Sequence, residues 1–293
     1  MPEPHLYPLT VAGVGITIKT AVSLPVSDRF RPFLSETAAP GYLVEFRENA
    51  NLPEPDSTPL YRGERFEVYP DGAGGFIRWY FDGMHDFIHF ARVTNDWPGR
   101  RVLVEYLPSE RELVSEMGNC FSFSGWEMLL LRERRLLLHA ACVDTPVGGL
   151  LFSGPSGIGK STQAGLWQRY AGAKLLNGDR PILHKAADGW RAWGSPYAGS
   201  SRWFVNDSCR ITALVMLRQA PKCSLRRLQQ AEAFHAVFAG TTAASWDRAC
   251  MLLACDLTES LISDVPVYEL SCTPDRDAVE LLRAELEGEA GHA

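Results

Sequence analysis

The nine residues Gly154, Pro155, Ser156, Gly157, Ile158, Gly159, Lys160, Ser161 and Thr162 complete the pattern G-x-x-x-x-G-K-S/T and add one hydroxyl to it. The pattern demands a strand before it and a helix after it. Leu150–Ser153 supplies a short apolar run, and from Ser161 to Ala171 the residues Ala164, Trp167 and Ala171 recur at i, i+3 and i+7. Each residue type answers a separate need. Glycines at 154, 157 and 159 let the backbone take positive φ and turn successive N–H groups toward an anion. The helix that follows presents its positive dipole end at the same place. Lys160 adds a full charge within reach of β- and γ-phosphates, and the Ser161 hydroxyl is the expected Mg²⁺ ligand. A phosphate cradle for a nucleotide is the first expectation.

Size and charge narrow the class. The 293 residues suffice for one large or two modest cored domains, and 46 % hydrophobic with 22 % charged residues is ordinary for a globular chain. A net charge of −6 and the absence of a basic run argue against a general nucleic-acid partner or an anionic membrane surface. The apolar runs are too short to span a bilayer, and Met-Pro-Glu-Pro-His lacks the start of a signal peptide. Cysteines 120, 142, 209, 223, 250, 255 and 272 are scattered without a C-x-x-C pair. They are expected as free thiols in a cytoplasmic protein.

Residues 1–118 read as a β-rich domain of unknown role. Leu9–Val22 alternates loosely, and Tyr42–Phe46, Phe66–Tyr69, Phe76–Phe81, Phe87–Arg92 and Arg101–Tyr106 have strand composition. Asp71–Gly75 is a hairpin signal. His85 and His89, four apart with no third ligand beside them, are not expected to bind metal. From Ser109 the pattern turns helical: Ser109–Met117 carries Leu113 and Val114 inward, and Ser124-Gly-Trp-Glu127 reads as a capping box. Leu136–Val143 reads as one strand buried on both faces, with His139 inside it. A histidine so placed is either a hydrogen-bonded core residue or, beside the phosphate-loop strand, a functional one.

After the first helix, Ala173–Asn177 reads as a strand ending in Gly178-Asp179-Arg180-Pro181. Asp179 lies 18 residues beyond Ser161, enough for one helix and one strand to return both to the same end of a sheet. An aspartate there is expected to bind Mg²⁺ or accept a proton. Pro181–His184 and Gly189–Trp193 form a hairpin, and Gly194–Trp203, with Tyr197, Arg202 and Trp203, suits either a closing element or a surface loop. Ile211–Leu217, Ser224–Leu228 and Val265–Leu270 read as strands, and Ser245–Ser263 as an amphipathic helix. Thr273-Pro274-Asp275 caps the last helix, and the tail 288–293 is expected to fray.

Taken together, Leu138-His139, the stretch from Phe152 to Ser161, the aspartate before Arg180-Pro181, Gly194–Gly199 and the closing run Tyr268–Asp277 resemble the HPr kinase-like proteins. The likeness covers residues 120–285 and is strongest to a short branch often found with gene clusters for modified peptides. It implies an α/β fold: a β-rich N-terminal domain, then an ATP-binding domain over 119–287, related to phosphoenolpyruvate carboxykinase, with a mixed sheet and flanking helices. It also implies ATP and Mg²⁺ as cofactors and Ser/Thr of a peptide or protein as acceptor, the oligomeric state being left open. Family members carry two adjacent aspartates where this chain has Gly178 and Asp179. The resemblance makes Asp179 a Mg²⁺ ligand with Ser161, and leaves the proton-accepting role to His139 or to Asp179 in both tasks. Lys160, Asp179, His139 and Arg180 are the expected catalytic residues, with Arg202 as another candidate for neutralising transferred charge. The leading expectation is an ATP- and Mg²⁺-dependent phosphotransferase acting on a hydroxyl. The alternatives are a nucleotide-binding module without transfer chemistry and a kinase of a small-molecule hydroxyl.

Overall fold

In the computed structural model, residues 3–37, 40–72, 75–81 and 89–290 are described, with side chains through Gly288. The chain divides into two compact units, Met1–Leu129 and Leu130–Ala293.

Among the described residues of the first unit, eight strands form one sheet: β1 (His5–Val11), β2 (Val14–Thr20), β3 (Gly41–Glu48), β4 (Tyr61–Arg62), β5 (Phe66–Pro70), β6 (Phe76–Phe81), β7 (His89–Asp96) and β8 (Arg101–Tyr106). The order is β1-β2-β3-β8-β7-β6-β5-β4, antiparallel except that β3 runs parallel to both β2 and β8. The single alternating run expected from Leu9 onward is two strands. Its break is a two-residue turn at Ala12 and Gly13, both at positive φ (49° and 77°) as a primed hairpin turn requires. Val14, Ile16 and Ile18 of β2 and Val102, Val104 and Tyr106 of β8 are buried at period two. His85 lies outside the described residues. His89 has Nδ1 3.2 Å from Glu54 Oε2 and Nε2 3.2 Å from Glu67 Oε2, so its two nitrogens face different carboxylates.

Two helical expectations shift. Ser109–Met117 forms only the 3₁₀ turns Pro108–Glu110 and Leu113–Ser115, and helices α1 (Met117–Phe123) and α2 (Trp126–Arg132) follow. Ser124 does not start a helix. Its hydroxyl donates to the Phe121 carbonyl at 2.5 Å, closing α1, and Gly125 at φ 68° redirects the chain into α2.

The second unit comprises β9 (Leu136–Leu138), β10 (Ala140–Thr145), β11 (Gly148–Ser153), α3 (Lys160–Ala171), β12 (Lys174–Asn177), β13 (Ile182–Ala186), β14 (Gly189–Trp193), β15 (Ser208–Gln219), β16 (Ser224–Arg227), α4 (Gln230–Ala239), β17 (Thr241–Thr242), α5 (Arg248–Asp264), β18 (Val267–Cys272) and α6 (Arg276–Ala290). The sheet runs β12-β10-β11-β15-β14-β13-β9-β17, with β18 parallel to β15 and β16 antiparallel to β18. β11 and β15 are also parallel, so the sheet is mixed. The fold is thus α/β with a mixed sheet in each unit. Ala164 and Trp167 of α3 and Ala278, Val279, Leu282 and Leu286 of α6 pack on one face of the sheet, against Val143, Phe152, Val215 and Leu270. Asp247 caps α5 by accepting from the N–H groups of Ala249 and Cys250, and Asp275 takes the same place before α6, accepting from Ala278 N.

The largest departure from the sequence reading is at His139. Leu136–Val143 is not one strand. β9 pairs with β13 and β17, β10 pairs with β11 and β12, and the chain crosses from one part of the sheet to the other at His139. Apolar residues flank His139 on both sides, and one polar residue within such a run does not by itself mark a crossing. All seven cysteines are free thiols. Among the described residues no helix is long and apolar enough to cross a membrane.

Candidate functional site

β11 is buried along most of its length and opens directly into residues 154–159, where Gly154, Gly157 and Gly159 take φ of 141°, 78° and 110°. These are the positions at which an L side chain would be strained, which is why the spacing of glycines, rather than their number, matters. Lys160 opens α3 immediately after Gly159, and Ser161 and Thr162 are exposed on its first turn. Lys160 is only 8 % exposed, and its Nζ donates to the carbonyls of Gly154 and Pro155, each at 3.0 Å. The ammonium therefore closes the loop into a ring. Burial lowers its pKa, opposed by Asp179 and reinforced by Arg180. A desolvated ammonium beside helix-terminal N–H groups is suited to an anionic ligand.

The remaining polar residues come from three turns. At the crossing between β9 and β10, the His139 N–H donates to Gly240 O at 2.8 Å and its carbonyl accepts from Ser153 Oγ at 2.9 Å. The histidine is thereby tied to the strand of the phosphate loop and to the segment after α4. Its Nε2 lies 3.1 Å from Asp179 Oδ1, and Arg180 Nε lies 3.7 Å from Asp179 Oδ2. Arg180 Nη1 also donates to Thr242 Oγ1 at 2.5 Å. Asp179 follows β12 in a turn organised by Asn177, whose Oδ1 accepts from the N–H groups of Asp179 (3.0 Å) and Arg180 (2.7 Å). Asn177 is fully buried, and its Nδ2 donates to Ser195 O and Oγ. The His139 pKa is lowered, first by burial and next by the Lys160 charge, with Asp179 opposing. The imidazole is thus held toward its neutral form.

Lys160, Asp179, His139 and Arg180 therefore assemble at the carboxyl end of β11. Arg202 does not join them. It is exposed at φ 58° after the 3₁₀ turn Gly199–Ser201 and makes no ion pair with Asp179. The stretch Gly194–Trp203 is partly built into the site: Gly194, Ser195, Pro196 and Ala198 are buried, and a Cβ on Gly199 would lie 3.1 Å from Asp179 Cβ. Gly178 is equally confined, since a Cβ there would fall 1.7 Å from Ser201 Oγ. Asn177, Thr242 and Gly240 were not singled out from sequence. Asn177 read only as the end of a strand, and the segment 240–242 carries no local pattern that ties it to Asp179.

Ser161 and Asp179 offer hard oxygen donors of the kind Mg²⁺ takes, and the chemistry of the pair fits that ion. Among the described residues no group of three or more His, Cys, Asp and Glu forms a metal cage. Mg²⁺ held here would complete its shell with phosphate oxygens and water, its usual mode beside a nucleotide.

No family model matches the chain, and no curated protein matches it. Among solved structures it is similar to the HPr(Ser) kinase/phosphatase from Coxiella burnetii, at 14 % identity and a TM-score of 0.33, over 53 % of this chain and 93 % of that one.

Proposed function

We propose that the second unit is an ATP- and Mg²⁺-dependent phosphotransferase whose acceptor is a hydroxyl, a Ser or Thr of a peptide or protein. The observation that carries it is the convergence of a phosphate-loop lysine with the His139–Asp179 pair at 3.1 Å and Arg180 beside it. A nucleotide-binding loop needs none of the last three. Residues 154–162 bind the phosphates, with Lys160 moving from the Gly154 and Pro155 carbonyls onto phosphate oxygens. Ser161 and Asp179 would hold Mg²⁺, which would supply charge neutralisation on the phosphates. Transfer forms a bond from the acceptor oxygen to the γ-phosphorus and breaks the bond from that phosphorus to the bridging oxygen, which leaves with ADP. The acceptor proton passes to the His139–Asp179 pair, whose imidazole burial keeps neutral and able to accept it. Arg180, fixed by Thr242, faces charge spread over the transferred oxygens. The acceptor class comes from the resemblance to HPr kinase-like proteins.

A second reading has its own observation. Gly178 stands where that family has an aspartate, and its surroundings leave no room for a side chain. A module that binds ATP without transferring phosphate would have the same loop. Calorimetric ATP titration and mass spectrometry of candidate peptides separate the two. The kinase reading expects ATP binding lost in Lys160→Ala, and retained in Asp179→Asn with transfer reduced about 10²–10⁴-fold. Binding without phosphate on any hydroxyl, peptide or metabolite, selects the module, and no ATP binding at all overturns both.

A further inference from the structure

The phosphate loop has two flanks. On the first, β12 and the start of β10 bring Asp179 and His139 to the loop. On the second, β15 and β18, both running with β11, end at Gln219 and Cys272. Between those ends and the first turn of α3 lies a cavity of about 580 Å³. Gly157, Gly159 and Thr162 of the loop form one wall, Leu217–Pro221 and Cys272–Pro274 the others.

We infer that this cavity takes the nucleoside of the bound nucleotide, so that the phosphate chain crosses the loop from the β15/β18 flank and presents its γ-phosphoryl group to the His139–Asp179 flank. The inference rests on the nucleotide reading above and adds a direction and a set of recognition residues to it. Four observations support it. The cavity shares Gly157 and Gly159 with the phosphate cradle, so a ligand filling it is continuous with one held by the loop. Its size lies in the range of about 300–1,000 Å³ that small-molecule sites occupy. It opens at the carboxyl ends of parallel strands, where open α/β sheets hold their ligands. Its lining combines apolar surface, from Ile158, Leu217, Pro221 and Pro274, with the polar groups of Arg218, Gln219 and Thr273. A base can stack on the first while ribose hydroxyls reach the second.

The opposite flank is tightly packed behind Asp179. Behind Asp179, Ser195 and Ala198 are buried and Gly178 and Gly199 approach their neighbours too closely for even a Cβ to be added freely. A buried group on the cavity side is also left wanting. Gln163 is 3 % exposed and lines the cavity, its Nε2 meets Cys272 Sγ at 3.2 Å, and its Oε1 has no partner. A buried acceptor without a donor is costly, and turning the amide toward the cavity gives it a donor from a nucleoside.

Calorimetric titration of the full chain with ATP and with tripolyphosphate, both with Mg²⁺, tests the assignment. The wild type is expected to bind ATP at least tenfold more tightly than tripolyphosphate. Ala220→Trp fills the cavity without altering the loop sequence, and should weaken ATP tenfold or more while tripolyphosphate binds within twofold of wild type. Thr273→Arg is the second variant, with the same expectation, and decides the matter if Ala220→Trp lowers both ligands together by disturbing the loop. Equal affinity of the wild type for ATP and tripolyphosphate, or wild-type ATP affinity in Thr273→Arg, overturns the nucleoside site and leaves the phosphate-loop reading intact. Binding of neither ligand by the wild type overturns both.

Discussion

Adding one methyl group at Gly178 tests how the turn before Asp179 is built. A Cβ there would lie 1.7 Å from Ser201 Oγ, 2.5 Å from Ser201 Cβ and 3.0 Å from the Ala198 carbonyl oxygen. These neighbours cannot simply rotate away. Ser201 Oγ donates to Ala198 O at 2.5 Å and accepts from Trp203 N at 3.3 Å, so the hydroxyl belongs to the 3₁₀ turn itself. Forcing an extra carbon into such a contact costs about 1–3 kcal/mol. For a domain of this size that is a fall in Tm of roughly 2–12 °C. Gly178→Ala should therefore move the urea midpoint of the second unit downward with m unchanged. Ser201→Gly deletes the two closest atoms. It loses the hydroxyl's hydrogen bonds, about 1 kcal/mol net, but it should relieve the clash, so the double variant should be more stable than the sum of the singles by about 1–2 kcal/mol. A Gly178→Ala protein within about 0.5 kcal/mol of wild type, or a cycle with no coupling, would refute the geometry. The same reasoning explains why an aspartate restored at 178 should not supply a second carboxylate. It would displace Ser201, and with it the wall that holds Asp179, so ATP turnover should fall rather than rise.

Two further predictions follow from burial. His139 is depressed in pKa by burial and Lys160, and His184 by burial with Arg135 and Arg191, so at mildly acidic pH the unfolded chain binds more protons than the folded one. Stability should fall as pH drops through the ordinary histidine value of about 6.5 toward the lower folded values, and the fall, read as urea midpoint against pH, should flatten in His184→Gln; a wild-type midpoint rising over that window would contradict the assignment. The Cys120 thiol is pushed up to about 12 by burial, and Cys142 is raised well above its usual value by the neighbouring Cys209 thiol and by burial. Iodoacetamide at pH 8 should label Cys223 and Cys255, the two partly exposed cysteines, and spare Cys120 and Cys142 until the protein is denatured, as peptide mapping would show.

Local chemistry made the phosphate loop legible. Three glycines set positive φ at the positions their spacing required, and a strand and a helix flank them as the pattern demands. The hairpin Ile182–Trp193, the buried stripe of α5 and the aspartate after β12 were legible for the same reason: each is fixed by residues close to it in sequence. α4 went unread because its cap is Gln229 with Glu232, an uncommon pairing, and its cooperative partner α5 lies further along the chain. The crossing at His139 could not be read from Leu136–Val143. His139 is the one polar residue in that run, but the crossing there is set by a choice of partners, with β13 and β17 pairing β9 on one side and β10 drawn to β11 and β12 on the other.

That distinction bears on how the site works. The residues proposed to bind phosphate lie in one contiguous stretch, whereas those proposed to act on an acceptor are set by long-range contacts: Gly240 O on His139 N, Thr242 on Arg180, Ser195 on Asn177. A loop can keep its sequence signature while such contacts drift, so the motif by itself argues only for binding. Transfer is favoured because these contacts hold an imidazole, kept toward its neutral form, and a guanidinium each within 4 Å of one carboxylate, beside a desolvated lysine. Keeping such a cluster half-buried is costly unless its charges are paired, and each is oriented by a hydrogen bond from an element that the phosphate loop does not need.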